Sequence, residues 1–204
     1  NSRESLILDI KKSIRERNEV LSNIFNKYEE EIKKINDSQS ELKIEIKFKG
    51  NKDKFKNDIK AKFRGTGISE VKATTIANEF SDFVSIISDC ILYDAKKLHS
   101  ILTDNEVVKV YDKIKDNYSD LIKEVCPDLV EIYYHDKLLE QHSIGQRASA
   151  LILFVLTQED NDLIIIDQPE DDLDNQIIYD EVISTINKKK KSIQFIFATH
   201  NANI

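Results

Sequence analysis

Three short segments near the end of the chain carry residue types that could do chemistry. Leu163-Ile164-Ile165-Ile166 is an unbroken apolar run that ends in Asp167, followed by Gln168. A carboxylate at the end of a buried strand can hold Mg²⁺ through water beside a transferring phosphate; an acid there can also simply cap the next helix. Ser143-Ile144-Gly145-Gln146 precedes a helical apolar run, Ala148 to Leu156. Backbone amides at a helix start, together with its positive end, grip phosphate, and the same residues also serve as an ordinary N-cap. A second apolar run, Ile193 to Ala198, ends in Thr199-His200-Asn201. His200 either meets a ligand at the strand end or satisfies a loop carbonyl.

These residues need a frame that brings strand ends together. Two apolar strands flanking a helix over roughly 175–189 predict a parallel βαβ unit buried on both faces. Ligands of such sheets sit beyond the carboxyl ends of the strands, where Asp167 and His200 fall. Upstream, Glu41 to Lys49 alternates, with Leu42, Ile44, Ile46 and Phe48 on one side, and reads as a half-buried strand. Lys52 to Phe63 reads as a helix and Arg64-Gly65-Thr66-Gly67 as a turn. Ser69 is expected to cap the next helix, and the chain stays largely helical to Lys123. Leu129 to Tyr134 is a further strand, closed by a turn at His135-Asp136.

The order of these segments resembles the C-terminal lobe of ABC-type ATPase heads, the branch that includes SMC proteins and double-strand-break repair ATPases. Ser143-Ile144-Gly145-Gln146 is similar to the family's signature motif, with Ile144 in place of its first glycine and His142 where leucine is usual. Leu163 to Asp167 resembles Walker B, Leu173-Asp174 the D-loop, and His200 the switch histidine. Asp167-Gln168-Pro169-Glu170-Asp171-Asp172-Leu173-Asp174 looks closest to bacterial SMC-like ATPases that are often joined to PHP-type phosphoesterases or placed in phage-defence loci.

The resemblance implies an α/β lobe over 41–204, with a mostly helical insert near 69–126, that works with ATP and Mg²⁺. Ser143, Gly145 and Gln146 would meet the ATP of a second head, Asp167 would position Mg²⁺, and His200 would sense the γ-phosphate. Asp174 would couple the two sites of a head dimer. Gln168 stands where most of the family has the glutamate that activates water; it can orient water but not accept its proton, and Glu170 is the nearest substitute. No Gly-x-x-x-x-Gly-Lys-Ser/Thr occurs, so the P-loop is expected from an N-terminal lobe of the same protein. Alone, the chain is expected to be inert.

Residues 1–38 read as one helix with a coiled-coil seam, counted from Ile7 through Ile10, Ile14, Arg17, Leu21, Ile24, Tyr28, Glu31 and Ile35. It fits a descending coiled-coil arm that needs a partner, or an amphipathic helix lying on the body. Asn36 to Ser40 is expected to break it. The chain has 204 residues and a net charge of −7, yet Lys47, Lys49, Lys52, Lys54, Lys56, Lys60, Lys62 and Arg64 face only Asp53 and Asp58. Interleaved with Phe48, Phe55 and Phe63, the stretch 47–64 could neutralise nucleic-acid phosphates or be a solvated lysine-rich face. No apolar run is long enough to cross a membrane. Cys90 and Cys126 lie in no metal-binding spacing, as expected of reduced thiols in a cytoplasmic protein.

Overall fold

Glycine and proline are scarce, and the chain accordingly spends most of its length in regular elements. The computed structural model describes residues 2–38, 42–157, 161–168 and 182–200. In chain order the elements are α1 (Ser2–Ser38), β1 (Leu42–Lys47), α2 (Lys52–Lys62), α3 (Glu70–Glu79), α4 (Phe83–Leu92), α5 (Lys96–His99), α6 (Asp104–Asp116) and α7 (Tyr118–Leu121). There follow β2 (Leu129–Tyr134), β3 (Lys137–Leu138), a 3₁₀ turn (Leu139–Gln141), α8 (Ile144–Thr157), β4 (Leu163–Asp167), α9 (Ser184–Lys189) and β5 (Gln194–Ala198). The protein is α/β, with a long first helix and little sheet. The chain packs as two compact units, one of Asn1–Lys27 with Ile46–Leu129 and one of Tyr28–Glu45 with Val130–Ile204.

The first unit is helical. Residues at helical spacing point inward from each element: Phe55 and Ile59 from α2, Ala73, Ile76 and Ala77 from α3, Val107, Val110 and Ile114 from α6. Phe83 opens α4 and takes Phe55 and Phe63 edge-on, at 5.3 and 5.8 Å between ring centres. α3, α4 and α6 each start on a side-chain cap. Ser69 accepts from the Lys72 N–H as its position predicts, Asp82 forms a capping box with Ser85, and Thr103 forms one with Glu106. The turn before α3 places Gly65 and Gly67 at φ +89° and +92°, which glycine adopts without strain. Both cysteines are buried. Burial, with Asp89 alongside, pushes the Cys90 thiol up to about 12, so it stays an unreactive thiol at neutral pH.

α1 lays its seam on this unit. Ile7, Ile10, Ile14, Arg17 and Leu21 are half-buried, while Leu6, Leu8 and Val20 stay exposed. α1 reaches Ser38, inside the stretch 36–40 expected to break it. Near that end the Asn36 carboxamide, within the second unit, bonds the Ile44 backbone twice, N–H and carbonyl, at 2.9 and 2.8 Å.

The Glu106 carboxyl is pulled from 4.5 down to about 2, first by the hydrogen bond from Lys72 and then by the Thr103 N–H and hydroxyl. A depressed carboxyl stabilises the fold fully above its unfolded value and loses that contribution as pH falls towards the folded one. Acid unfolding between about pH 4.5 and 2 is therefore expected to weaken in Glu106→Gln, a change that circular dichroism during acid titration would read. An unaltered acid limb would show that Glu106 carries none of it.

In the second unit one sheet has the order β1-β2-β3, and β2 and β3 form a hairpin through His135-Asp136, both at positive φ. A separate pair, β4 and β5, is parallel, with Leu163 opposite Gln194 and Asp167 opposite Ala198. Ala150, Leu153 and Leu156 of α8 share a core with Leu42, Tyr134, Ile164, Val182, Ile186 and Ile193. The expectation that β4 and β5 are buried on both faces is not met. Leu163, Ile165 and Ile196 are 47%, 67% and 46% exposed, and among the described residues no layer covers their side of the strand pair.

Candidate functional site

The parallel register of β4 and β5 decides which candidate residues meet. Asp167 ends β4 opposite Ala198, and the Gln168 N–H donates to the Ala198 carbonyl at 2.7 Å. That last rung closes the ladder, so Asp167, Gln168 and the segment Thr199-His200 emerge at one carboxyl edge. Gln168 turns away from the strand at φ +45°, a left-handed backbone uncommon for a residue with a Cβ. Asp167 is exposed and Gln168 half-buried. Both line a cleft of about 390 Å³, whose apolar wall comes from Leu151, Ile152 and Val155 of α8 and Ile165 of β4.

Ser143 and Gln146 make a capping box at the head of α8. The Gln146 N–H donates to the Ser143 hydroxyl at 3.3 Å, and the Ser143 N–H donates to the Gln146 carboxamide oxygen at 3.2 Å. The N-cap reading of these residues is therefore realised, and it does not preclude a ligand. An accepting hydroxyl keeps its own proton to donate, and the first turn of a helix has amides with no intrahelical partner. Gly145 sits inside that first turn. Ser149, one turn on, returns its hydroxyl to the Gly145 carbonyl at 3.0 Å.

His142 was passed over by sequence reasoning beyond its departure from leucine. One ring nitrogen lies 2.9 Å from the Tyr134 carbonyl and the other 3.2 Å from the Gln146 carboxamide oxygen. It thus ties the head of α8 to the end of β2. A polar residue just before a Ser-x-x-Gln box was the available signal.

Ser143, Gly145 and Gln146 do not line the cleft that holds Asp167 and Gln168. They form one cluster and the strand-end residues another. Glu170 and Asp174 lie outside the described residues, as do Pro169 and Leu173. Among the described residues no group of three or more His, Cys, Asp or Glu side chains converges as a metal cage. Asp167 is an exposed carboxylate at the strand end; Mg²⁺ beside phosphate takes one or two protein oxygens and keeps most of its waters.

The basic stretch 47–64 is largely tied down within the helical unit. Lys49 is buried and bound to Asp82 at 2.6 Å, Lys52 donates to the Phe80 carbonyl at 2.9 Å, and Lys54 pairs with Asp58. Lys56 and Lys60 share Glu70, and Lys62 meets Glu124 at 2.9 Å. Phe55 and Phe63 are core residues, 1% and 2% exposed, so they cannot stack on bases. Their spacing among the lysines reflects an amphipathic helix rather than an interface.

Among the described residues no helix is long and apolar enough to cross a membrane. Comparison of the chain with protein-family models, with curated proteins and with solved structures returned no match.

Proposed function

We propose that this chain is the signature-bearing C-terminal lobe of an ATPase head similar to the ABC/SMC type. Such a head binds and hydrolyses ATP once a P-loop lobe of the same protein and a second head complete the site. The observation that carries the reading is the parallel β4–β5 register. It sets Asp167, Gln168 and the Thr199-His200 segment at one carboxyl edge, where open α/β sheets bind ligands.

The bare apolar surfaces support it. Parallel strands are normally covered on both faces, yet Leu163, Ile165 and Ile196 are exposed, as are Ile144, Leu151 and Val155 along one stripe of α8. A P-loop lobe would supply cover. In the complete head Asp167 would hold Mg²⁺ through water, and the ion would offset charge on the phosphates. Ser143 would donate its hydroxyl proton to the γ-phosphate bound by the second head, and His200 would register whether that phosphate is present. Work on DNA, in repair or phage defence, is part of the same proposal, although DNA contact through 47–64 would have to displace the carboxylates described above.

One observation favours a second reading, a head that dimerises on ATP without hydrolysing it: the carboxamide of Gln168 stands where a base is needed. Phosphate release and sedimentation of the intact protein, with and without ATP, separate the two. Under the first reading Asp167→Ala lowers turnover at least about a hundredfold. ATP-dependent dimerisation without turnover selects the second. An intact protein that lacks a P-loop, or fails to bind ATP, sinks both.

A further inference from the structure

Over the part of α1 that belongs to the helical unit, the seam contains one charged residue, Arg17, and the unit holds a buried site for it. Asp82 caps α4 by accepting from the Ser85 N–H at 2.9 Å, and its side chain is 2% exposed. Its second oxygen accepts from Lys49 at 2.6 Å and from Arg17 at 2.9 Å. Burial alone would push the Asp82 carboxyl up; the hydrogen bonds from Lys49 and Arg17 outweigh it and hold it below its ordinary value. The two cations are not equivalent. Lys49 is 6% exposed and belongs to the body of the unit, whereas Arg17 is 24% exposed and arrives on α1.

One carboxylate needs one cation. With Arg17 withdrawn, Asp82 remains neutralised by Lys49 and still caps α4, so the body loses little. Apart from Phe25, which is buried with its ring 5.2 Å from that of Phe48, the rest of the seat is slack. Ile7, Ile10, Ile14 and Leu21 are only half-buried. Open grooves of about 380 and 510 Å³ border α1 where it meets α4, lined in part by Ile10, Val84 and Ile91 on one side and by Arg15, Ser88 and Tyr93 on the other. An apolar row of this kind fits any apolar helix at matching spacing. Arg17 is what distinguishes this seat from another, since a guanidinium on a seam without a carboxylate loses solvation for nothing.

We propose that residues 2–27 of α1 form a strap that docks on and leaves the helical unit as a piece, with Arg17 as the pin that selects the docked state. The design is two-state because Asp82 is satisfied in both. Arg17 also donates to the Glu124 carbonyl at 3.4 Å, and Asn18 stands 3.5 Å from the Lys49 ammonium, so the pin and its neighbour enter and leave together.

Hydrogen exchange of the intact protein, read by mass spectrometry over peptides within residues 4–20, tests this. An undocked helix loses the packing that sustains it, so exchange follows the docked-to-undocked ratio. Arg17→Leu keeps the seam apolar but removes the pin; it is expected to speed exchange about ten- to a hundredfold there. Peptides covering Phe55, Phe83 and Val110 should keep their protection, and Arg17→Lys should restore much of the strap's. Unchanged exchange over 4–20 in Arg17→Leu overturns the proposal. Equal acceleration in the core peptides overturns it too, because Arg17 would then be part of the body rather than a pin.

Discussion

Asp82→Ala is expected to destabilise the helical unit by about 3–5 kcal/mol, a large share of the 5–15 or so that a domain of ordinary size possesses. The cost comes mainly from what remains. Lys49 would keep its ammonium in a site where its side chain is 6% exposed, left with Asn18 at 3.5 Å and the face of Phe48 at 5.3 Å among the described residues. The α4 cap is lost as well, worth about 1 kcal/mol. Urea denaturation followed by circular dichroism would show the midpoint fall. Asp82→Asn with Lys49→Met should recover most of the loss, since the carboxamide can still cap α4 and no ammonium is stranded. A drop below about 1 kcal/mol in Asp82→Ala would mean that Lys49 reaches water, and that the ion pair is peripheral.

That hub also shows where sequence reading stops. Period alone announced α1, α2, β1 and the β4 and β5 runs, and cap chemistry located Ser69 and Ser143. All of these are local signals, carried within a few residues. The partnership of Lys49 with Asp82 spans 33 residues and has no period. Lys49 therefore looked like one more member of a basic stripe, when it is the most buried of the described lysines. Arg17 stands among the apolar positions of the seam with nothing nearby in sequence to account for it. Its partner is invisible until the chain folds. The exposed side of β4 and β5 is the converse case. An apolar run records that a strand is meant to be covered, not what covers it, and the described residues leave Leu163, Ile165 and Ile196 open. The strand-end cluster of Asp167, Gln168 and His200 was legible because a parallel crossover forces sequential strand ends to one edge. The link from His142 to Tyr134 was not, because a hairpin lies between them.

Gln168→Glu is the substitution with the largest expected gain. In the complete head proposed above, the residue after Asp167 faces the water that attacks the γ-phosphate. A carboxamide can orient that water but has no basic site for its proton, and a positioned general base contributes about 10²–10⁴ in rate. The local backbone makes the exchange a clean test. Gln168 is held at φ +45° by its N–H bond to the Ala198 carbonyl, and glutamate, with the same branching and nearly the same shape, meets the same constraint at about the same cost. The change thus alters the chemistry of the side chain without moving it from the cleft it shares with Asp167. Phosphate release by the intact Gln168→Glu protein is expected to rise about a hundredfold or more. Adding Asp167→Ala should cancel the gain, because the new base is useful only with the phosphates held in place. If turnover does not move, the proton already leaves by another route, and Glu170→Gln becomes the decisive variant. If turnover falls, the neutral side chain is itself required, and the head is built to hold ATP rather than to spend it.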